Sequence, residues 1–135
     1  ITNGYLNLGD VGVYAAVGVV GGVWGVLAAA VGSMLSDFIL AYAVYAPATF
    51  VIKGLAALFA LVLLRRAKGF FRFVCLIACG VFIAAGYFLF EGVFVCDSFA
   101  AALINVPANL LQGVVGAALG YVVLRFTEKL HLDTK

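Results

Sequence analysis

The chain of 135 residues is 67% hydrophobic and only 10% charged, with a mean hydropathy of +1.24 and a formal net charge of +2. A soluble domain carries about 25% charged residues, so this chain has too little polar surface to coat a water-soluble globule. That excludes an ordinary soluble enzyme, a disordered tail and a nucleic-acid-binding domain, and makes lipid the solvent for most of the sequence.

A spanning helix uses roughly 20 residues, so a handful of helices fills the chain as one transmembrane domain over residues 1–135. Residues 1–9 read as a loop, polar at Tyr5 and Asn7, with Asp10 at the start of the first helix. A first helix is predicted over about 10–23, ending at the Gly21-Gly22 turn beside Trp24. A second covers about 26–42 and is broken by the segment from Tyr42 through Tyr45 to Pro47. Proline suits a first helical turn, where its missing donor would be unpaired anyway, so a third helix is predicted over 47–64. The strongly basic loop follows, with Arg65, Arg66, Lys68 and Arg72. A fourth helix is predicted over 73–90, then an acidic turn from Glu91 to Ser98. The last helix is predicted over 99–125, with Pro107 either kinking it or marking its true start, and residues 126–135 form a tail.

Short cytoplasmic loops collect Lys and Arg. This rule places the 65–72 loop and the C-terminal tail inside, and residue 1, the Tyr42–Pro47 loop and the Glu91–Ser98 turn outside. Five crossings result. A start outside without a signal peptide implies one further helix before Ile1. Cys75, Cys79 and Cys96 are expected to be buried structural thiols, since nothing here resembles a disulfide scaffold.

Polar groups inside a membrane are costly, so their positions carry information. Asp37 lies toward the outer end of the second helix, one turn after Ser33. Lys53 lies roughly 9 Å into the third helix, one turn after Thr49. Asn105, Asn109 and Gln112 form a stripe on the outer part of the last helix, and Tyr87 and Glu91 sit one turn apart at the outer end of the fourth. The inner halves carry no charge over residues 19–30, 55–64, 74–83 and 114–124. A pocket open to the outside over an apolar floor fits this layer, and a continuous aqueous pore, which needs polar lining at every depth, does not. Each group has a plainer reading as well. Asp37 and Lys53 can pair merely to fix packing, and Asp10 can serve as an N-cap. Glu91 and Asp97 can be solvated loop charges. Asn109 and Gln112 can bridge helices, and Tyr5, Tyr42, Tyr45 and Trp24 can form interfacial belts. The patterns Gly18-x3-Gly22, Gly21-x3-Gly25 and Gly116-x3-Gly120 mean close helix packing, inside the chain or with a partner. No nucleophile frame, phosphate loop or metal-ligand spacing occurs. No enzymatic activity, cofactor or metal is expected.

Four motifs occur in order: Gly4-Tyr-Leu-Asn-Leu-Gly-Asp10, Ala30-Val-Gly-Ser-Met-Leu-Ser-Asp37, Tyr45-Ala-Pro-Ala-Thr-Phe-Val-Ile-Lys-Gly54 and Asn105-Val-Pro-Ala-Asn-Leu-Leu-Gln-Gly113. Together they resemble the substrate-binding S components of energy-coupling factor (ECF) vitamin transporters, in the branch that includes riboflavin, hydroxymethylpyrimidine and pyridoxine-like members. The resemblance implies an all-α integral membrane protein, a six-helix bundle of which five helices are in this chain. It implies a subunit of a bacterial cell membrane that binds a vitamin from outside and works with a transmembrane T component and two cytoplasmic ABC ATPases. Residues 1–8 would end the loop that covers the ligand. Asn109 and Gln112 match ligand-bonding positions of the last helix. Lys53 and Asp37 match motif positions, and Tyr42, Tyr45 and Tyr87 are candidates for stacking on a flat heterocycle, with Asn105 and Glu91 beside them. The competing reading is an oligomeric small-solute channel packed through its Gly-x3-Gly faces.

Overall fold

The computed structural model describes residues 8–133, all but a few of them helical. The elements are α1 (Gly9–Val19), α2 (Gly22–Ile39), α3 (Ala46–Arg66), α4 (Phe71–Phe90), one wide π-helical turn (Glu91–Val95), α5 (Phe99–Ala102), a 3-10 turn (Leu103–Asn105) and α6 (Val106–Asp133). The expected covering loop, apart from Leu8, and the expected helix before Ile1 lie outside the described residues.

Four stretches are long and apolar enough to cross a membrane: Gly22–Ile39, Ala46–Arg66, Phe71–Val95 and Phe99–Leu130. With the first helix these make the five expected from the sequence, the first being the short one. With 11 residues, α1 is about 16 Å long, about half of a bilayer's hydrocarbon core. It is tucked against α2, α3 and α6, while α2, α3, α4 and α6 pack in succession around it.

Local chemistry explains the breaks. Gly21 and Gly22 take φ of 72° and 56°, so the α1–α2 hairpin needs residues without a Cβ. Pro47 lies in the first turn of α3. The Ser98 hydroxyl accepts from Ala101 N–H at 3.4 Å and caps α5. Pro107 marks the start of α6 and does not kink it, because the 3-10 turn ends just before Val106. That helix then runs past the expected end at 125 to Asp133.

The end of α2 is a Schellman motif. Tyr42 N–H donates to Asp37 C=O at 2.8 Å and Ala41 N–H to Phe38 C=O at 3.4 Å. The left-handed residue such a cap requires is usually glycine, but here it is Ala41, with φ of 63°. Ala41→Gly is therefore expected to raise stability by about 1 kcal/mol, measured as a higher midpoint of thermal unfolding in detergent.

The glycine patterns are used inside the chain. A Cβ on Gly116 would lie 2.6 Å from Asp10 Cβ, one on Gly120 2.5 Å from a Tyr14 ring carbon, and one on Gly25 2.6 Å from Ala16 C=O. Between α4 and α6, Gly80 and Gly113 cross so closely that a Cβ on Gly80 would sit 2.8 Å from Gly113 Cα. The main core, built on Val13, Tyr14, Ala57, Leu76, Cys79 and Ala117, fills the half of the bundle near the α1–α2 hairpin. Its one polar head, the Tyr14 hydroxyl, donates to Leu76 C=O at 3.1 Å. Cys79 is buried as expected, whereas Cys75 and Cys96 are only half-buried; all three are free.

Candidate functional site

The two ends of the bundle differ in charge. One carries the α3–α4 loop with Arg65, Arg66, Lys68 and Arg72, and the later part of α6 with Arg125 and Lys129. Toward the other lie Asp10, Asp37, Glu91 and Asp97. Apart from exposed Asp97, these acidic groups are buried, as are Thr49 and Lys53, while Tyr42, Tyr45, Tyr87, Asn105, Asn109 and Gln112 are half-buried.

The deeper layer centres on Lys53, seven residues into α3 and so about 10 Å from its start. Its side chain is 1% exposed and forms an ion pair with Oδ1 of equally buried Asp10. Gln112 Nε2 donates to the other carboxylate oxygen, Oδ2, at 3.5 Å. The Lys53 ammonium also lies 5.7 Å from the centroid of the Tyr87 ring, within cation–π range. The layer thus ties α1, α3, α4 and α6 at one depth. Gly116 permits it, since any side chain there would strike Asp10.

Two expectations are corrected here. Asp10 is not an N-cap: Leu8 holds the cap position of α1 without a side-chain hydrogen bond, and Asp10 turns inward. Asp37 is not the partner of Lys53. A buried ammonium needs a counter-charge in direct contact, and the tucked α1 brings Asp10 to it.

The shallower layer holds Glu91, Asn105, Tyr45, Thr49, Tyr87 and Asp37. Glu91 sits on the wide turn that ends α4 and is 5% exposed, so the reading of a solvated loop charge fails. It accepts from the Tyr45 hydroxyl at 3.3 Å and from Asn105 Nδ2 at 3.1 Å. Burial, and after it the neighbouring Glu91 carboxylate, push the Tyr45 phenol up to about 12. Thr49 Oγ1 and the Tyr87 hydroxyl are 2.9 Å apart. Tyr45 packs against Tyr42, Tyr87 and Phe90 at ring-centroid distances of 6.2, 6.4 and 5.6 Å. Trp24 belongs to neither layer and is 75% exposed, as an interfacial residue would be.

Two buried polar atoms are left over. Asp37 Oδ2 and Asn109 Nδ2 have no hydrogen-bond partner among the described residues. Buried polar atoms are nearly always paired, so an unpaired acceptor on α2 and an unpaired donor on α6 call for an explanation. Sequence reasoning gathered Lys53, Asp37, Asn105, Asn109, Gln112, Tyr45, Tyr87 and Glu91 into this region, with Tyr42 beside it. It left out Asp10 as a partner and gave Thr49 no role. A signal for Asp10 existed, because Lys53 is the one basic residue in the interior of a predicted span, Arg125 standing at the very end of another, and it requires a carboxylate.

A family model for the ECF-type riboflavin transporter, S component, matches residues 1–129. No curated relative and no solved structure matches the chain.

Proposed function

The chain belongs to the ECF-type riboflavin transporter S-component family, and from that premise we propose that it captures riboflavin at the acidic end of the bundle and passes it inward through an ATPase-driven partner module. Membership makes the chain a multi-pass membrane transport subunit and not an enzyme. The proposal adds the ligand, the partners and the orientation.

The observation that carries the ligand reading is the pair of unpartnered atoms, Asp37 Oδ2 and Asn109 Nδ2. The dione edge of an isoalloxazine ring offers an N–H between two carbonyl oxygens. The N–H suits a carboxylate oxygen and a carbonyl suits an amide N–H. The tyrosines at 42, 45 and 87 would flank a flat ring, a contact worth about 0.5–1.5 kcal/mol beyond burial. Hydroxymethylpyrimidine and pyridoxine offer fewer such edges and a smaller ring.

Loop charge supports the orientation. The Arg65–Arg72 loop and the end of α6 would be cytoplasmic, so the polar layers open outward and the apolar core forms a floor beneath them. The partners would be a T component and two cytoplasmic ABC ATPases. An oligomeric channel is disfavoured because Gly18, Gly25, Gly116 and Gly120 of the Gly-x3-Gly patterns already pack against other helices of the same chain.

The decisive experiment is titration calorimetry of the purified chain with riboflavin, hydroxymethylpyrimidine, pyridoxine, thiamine and pantothenate. Riboflavin is expected to bind with sub-micromolar affinity. Failure of every compound to bind below micromolar would sink the vitamin reading, and preference for a pyrimidine or pyridine would replace the flavin. Asn109→Ala is expected to weaken riboflavin binding about tenfold through one lost hydrogen bond, with unchanged thermal unfolding. Unaltered affinity removes Asn109 from the site.

A further inference from the structure

At the basic end, α1, α3, α4 and α6 leave a groove of about 210 Å³ lined by Val17, Gly18, Leu61, Leu64, Arg65, Arg72, Leu124, Thr127 and Glu128. Two chemistries meet in it. Val17, Leu61, Leu64 and Leu124 make an apolar wall that continues into the membrane-spanning part of the bundle, and Arg65 and Arg72 stand at the rim.

Arg72 is held in place. Its Nε donates to Ala67 C=O at 3.0 Å and its Nη1 pairs with Glu128. Arg65, in contrast, is exposed and makes no ion pair among the described residues. Arg66, Lys68, Arg125 and Lys129 lie at the same end of the bundle, and Glu128 is the acidic group lining the groove. The level is that of a membrane interface, since Phe70, Phe71 and Trp24 are each at least 70% exposed at the same end and aromatic side chains collect there.

We propose that this groove binds an anionic phospholipid, its phosphate held by the Arg65 guanidinium and its acyl chain laid along Leu61 and Leu64. The excess of cations selects an anionic headgroup over a zwitterionic one. Guanidinium suits phosphate through paired N–H donors. The apolar wall selects a lipid over a free anion, which would leave it uncovered. The site is separate from the polar layers at the opposite end and does not rest on the vitamin reading.

Native mass spectrometry of the purified chain with equal amounts of dioleoyl-phosphatidylglycerol and dioleoyl-phosphatidylcholine tests it. Phosphatidylglycerol is expected to be retained in clear preference. Arg65→Gln should lower its retention about fivefold, the effect of one interfacial cation. Arg66→Gln, which removes the same charge from the same loop outside the groove, should change it less than about twofold. Glu128→Gln releases Arg72 and should raise retention, an increase that loss of folding cannot mimic. Equal losses in Arg65→Gln and Arg66→Gln would reduce the effect to diffuse surface charge and overturn the site. So would equal retention of the two lipids, a fall in Glu128→Gln, or displacement of phosphatidylglycerol by millimolar inorganic phosphate.

Discussion

Replacing Lys53 by methionine is expected to destabilise the bundle by about 3–5 kcal/mol, because the change leaves the Asp10 carboxylate buried without its counter-charge. Lys53 and Asp10 are each 1% exposed at the side chain, so water cannot take over the lost partner. Gln112 reaches only the other Asp10 oxygen, at 3.5 Å, and a neutral amide cannot balance a charge. The companion change decides the mechanism. Adding Asp10→Asn to Lys53→Met removes the stranded charge, and the double variant should recover to within about 1 kcal/mol of the parent, as neutral replacements of buried pairs often do. Thermal unfolding in detergent, with the two single variants completing the cycle, gives the coupling. A double variant as unstable as Lys53→Met alone would show that Lys53 acts through packing and not through Asp10.

The second large effect is steric. Gly80→Val should cost about 3 kcal/mol, the upper part of the range for overpacking a tight interior. The new Cβ would lie 2.8 Å from Gly113 Cα and 3.0 Å from its carbonyl oxygen. These are backbone atoms of a packed helix, which cannot rotate aside as a side-chain tip can. Helices α4 and α6 must separate, and the contacts of Leu76, Cys79 and Ala117 in the main core loosen with them. Gly32 provides the internal control. It lies on α2 with nothing within 4 Å of an added Cβ, so Gly32→Ala should be neutral or stabilising by up to about 1 kcal/mol through helix propensity. If both variants unfold alike, close helix approach is not what glycine contributes at position 80.

These two contacts mark how far the sequence could be read. Hydropathy located the spans because lipid forces each of them to be long, apolar and helical. Cost of burial located the polar layer, because a charge such as Lys53 inside a span needs a reason. Pairing was not legible. The partner of Lys53 lies 43 positions away on a different helix, and periodicity within one helix says which face a residue occupies but not which helix that face meets. Asp37 falls in the outer half of its helix as Lys53 does, and that coarse placement alone favoured the wrong carboxylate. The length of α1 was hidden for a related reason: Val20 and the two glycines that end it are as compatible with lipid as a longer helix would be. Glu91 looked solvated because it borders a turn, and only the wide turn that rotates it inward toward Tyr45 and Asn105 buries it. The Gly80–Gly113 crossing left a trace in Gly80-x3-Ala84 and Gly113-x3-Ala117, a small-residue pattern whose partner surface no single helix specifies.

The union of Lys53 with Asp10 has an electrical consequence. An elementary charge that moves through the transmembrane potential gains or loses about 2.3 kcal/mol per 100 mV. A cation and an anion fixed together at one depth travel as a neutral unit, and the field does no net work on them. An ammonium standing alone at this position would make any tilt or displacement of α3 in the bilayer depend on how strongly the cell is energised. Joined to Asp10 of α1, the same ammonium adds no net charge for the field to act on, so this pair gives the membrane potential no handle on the subunit.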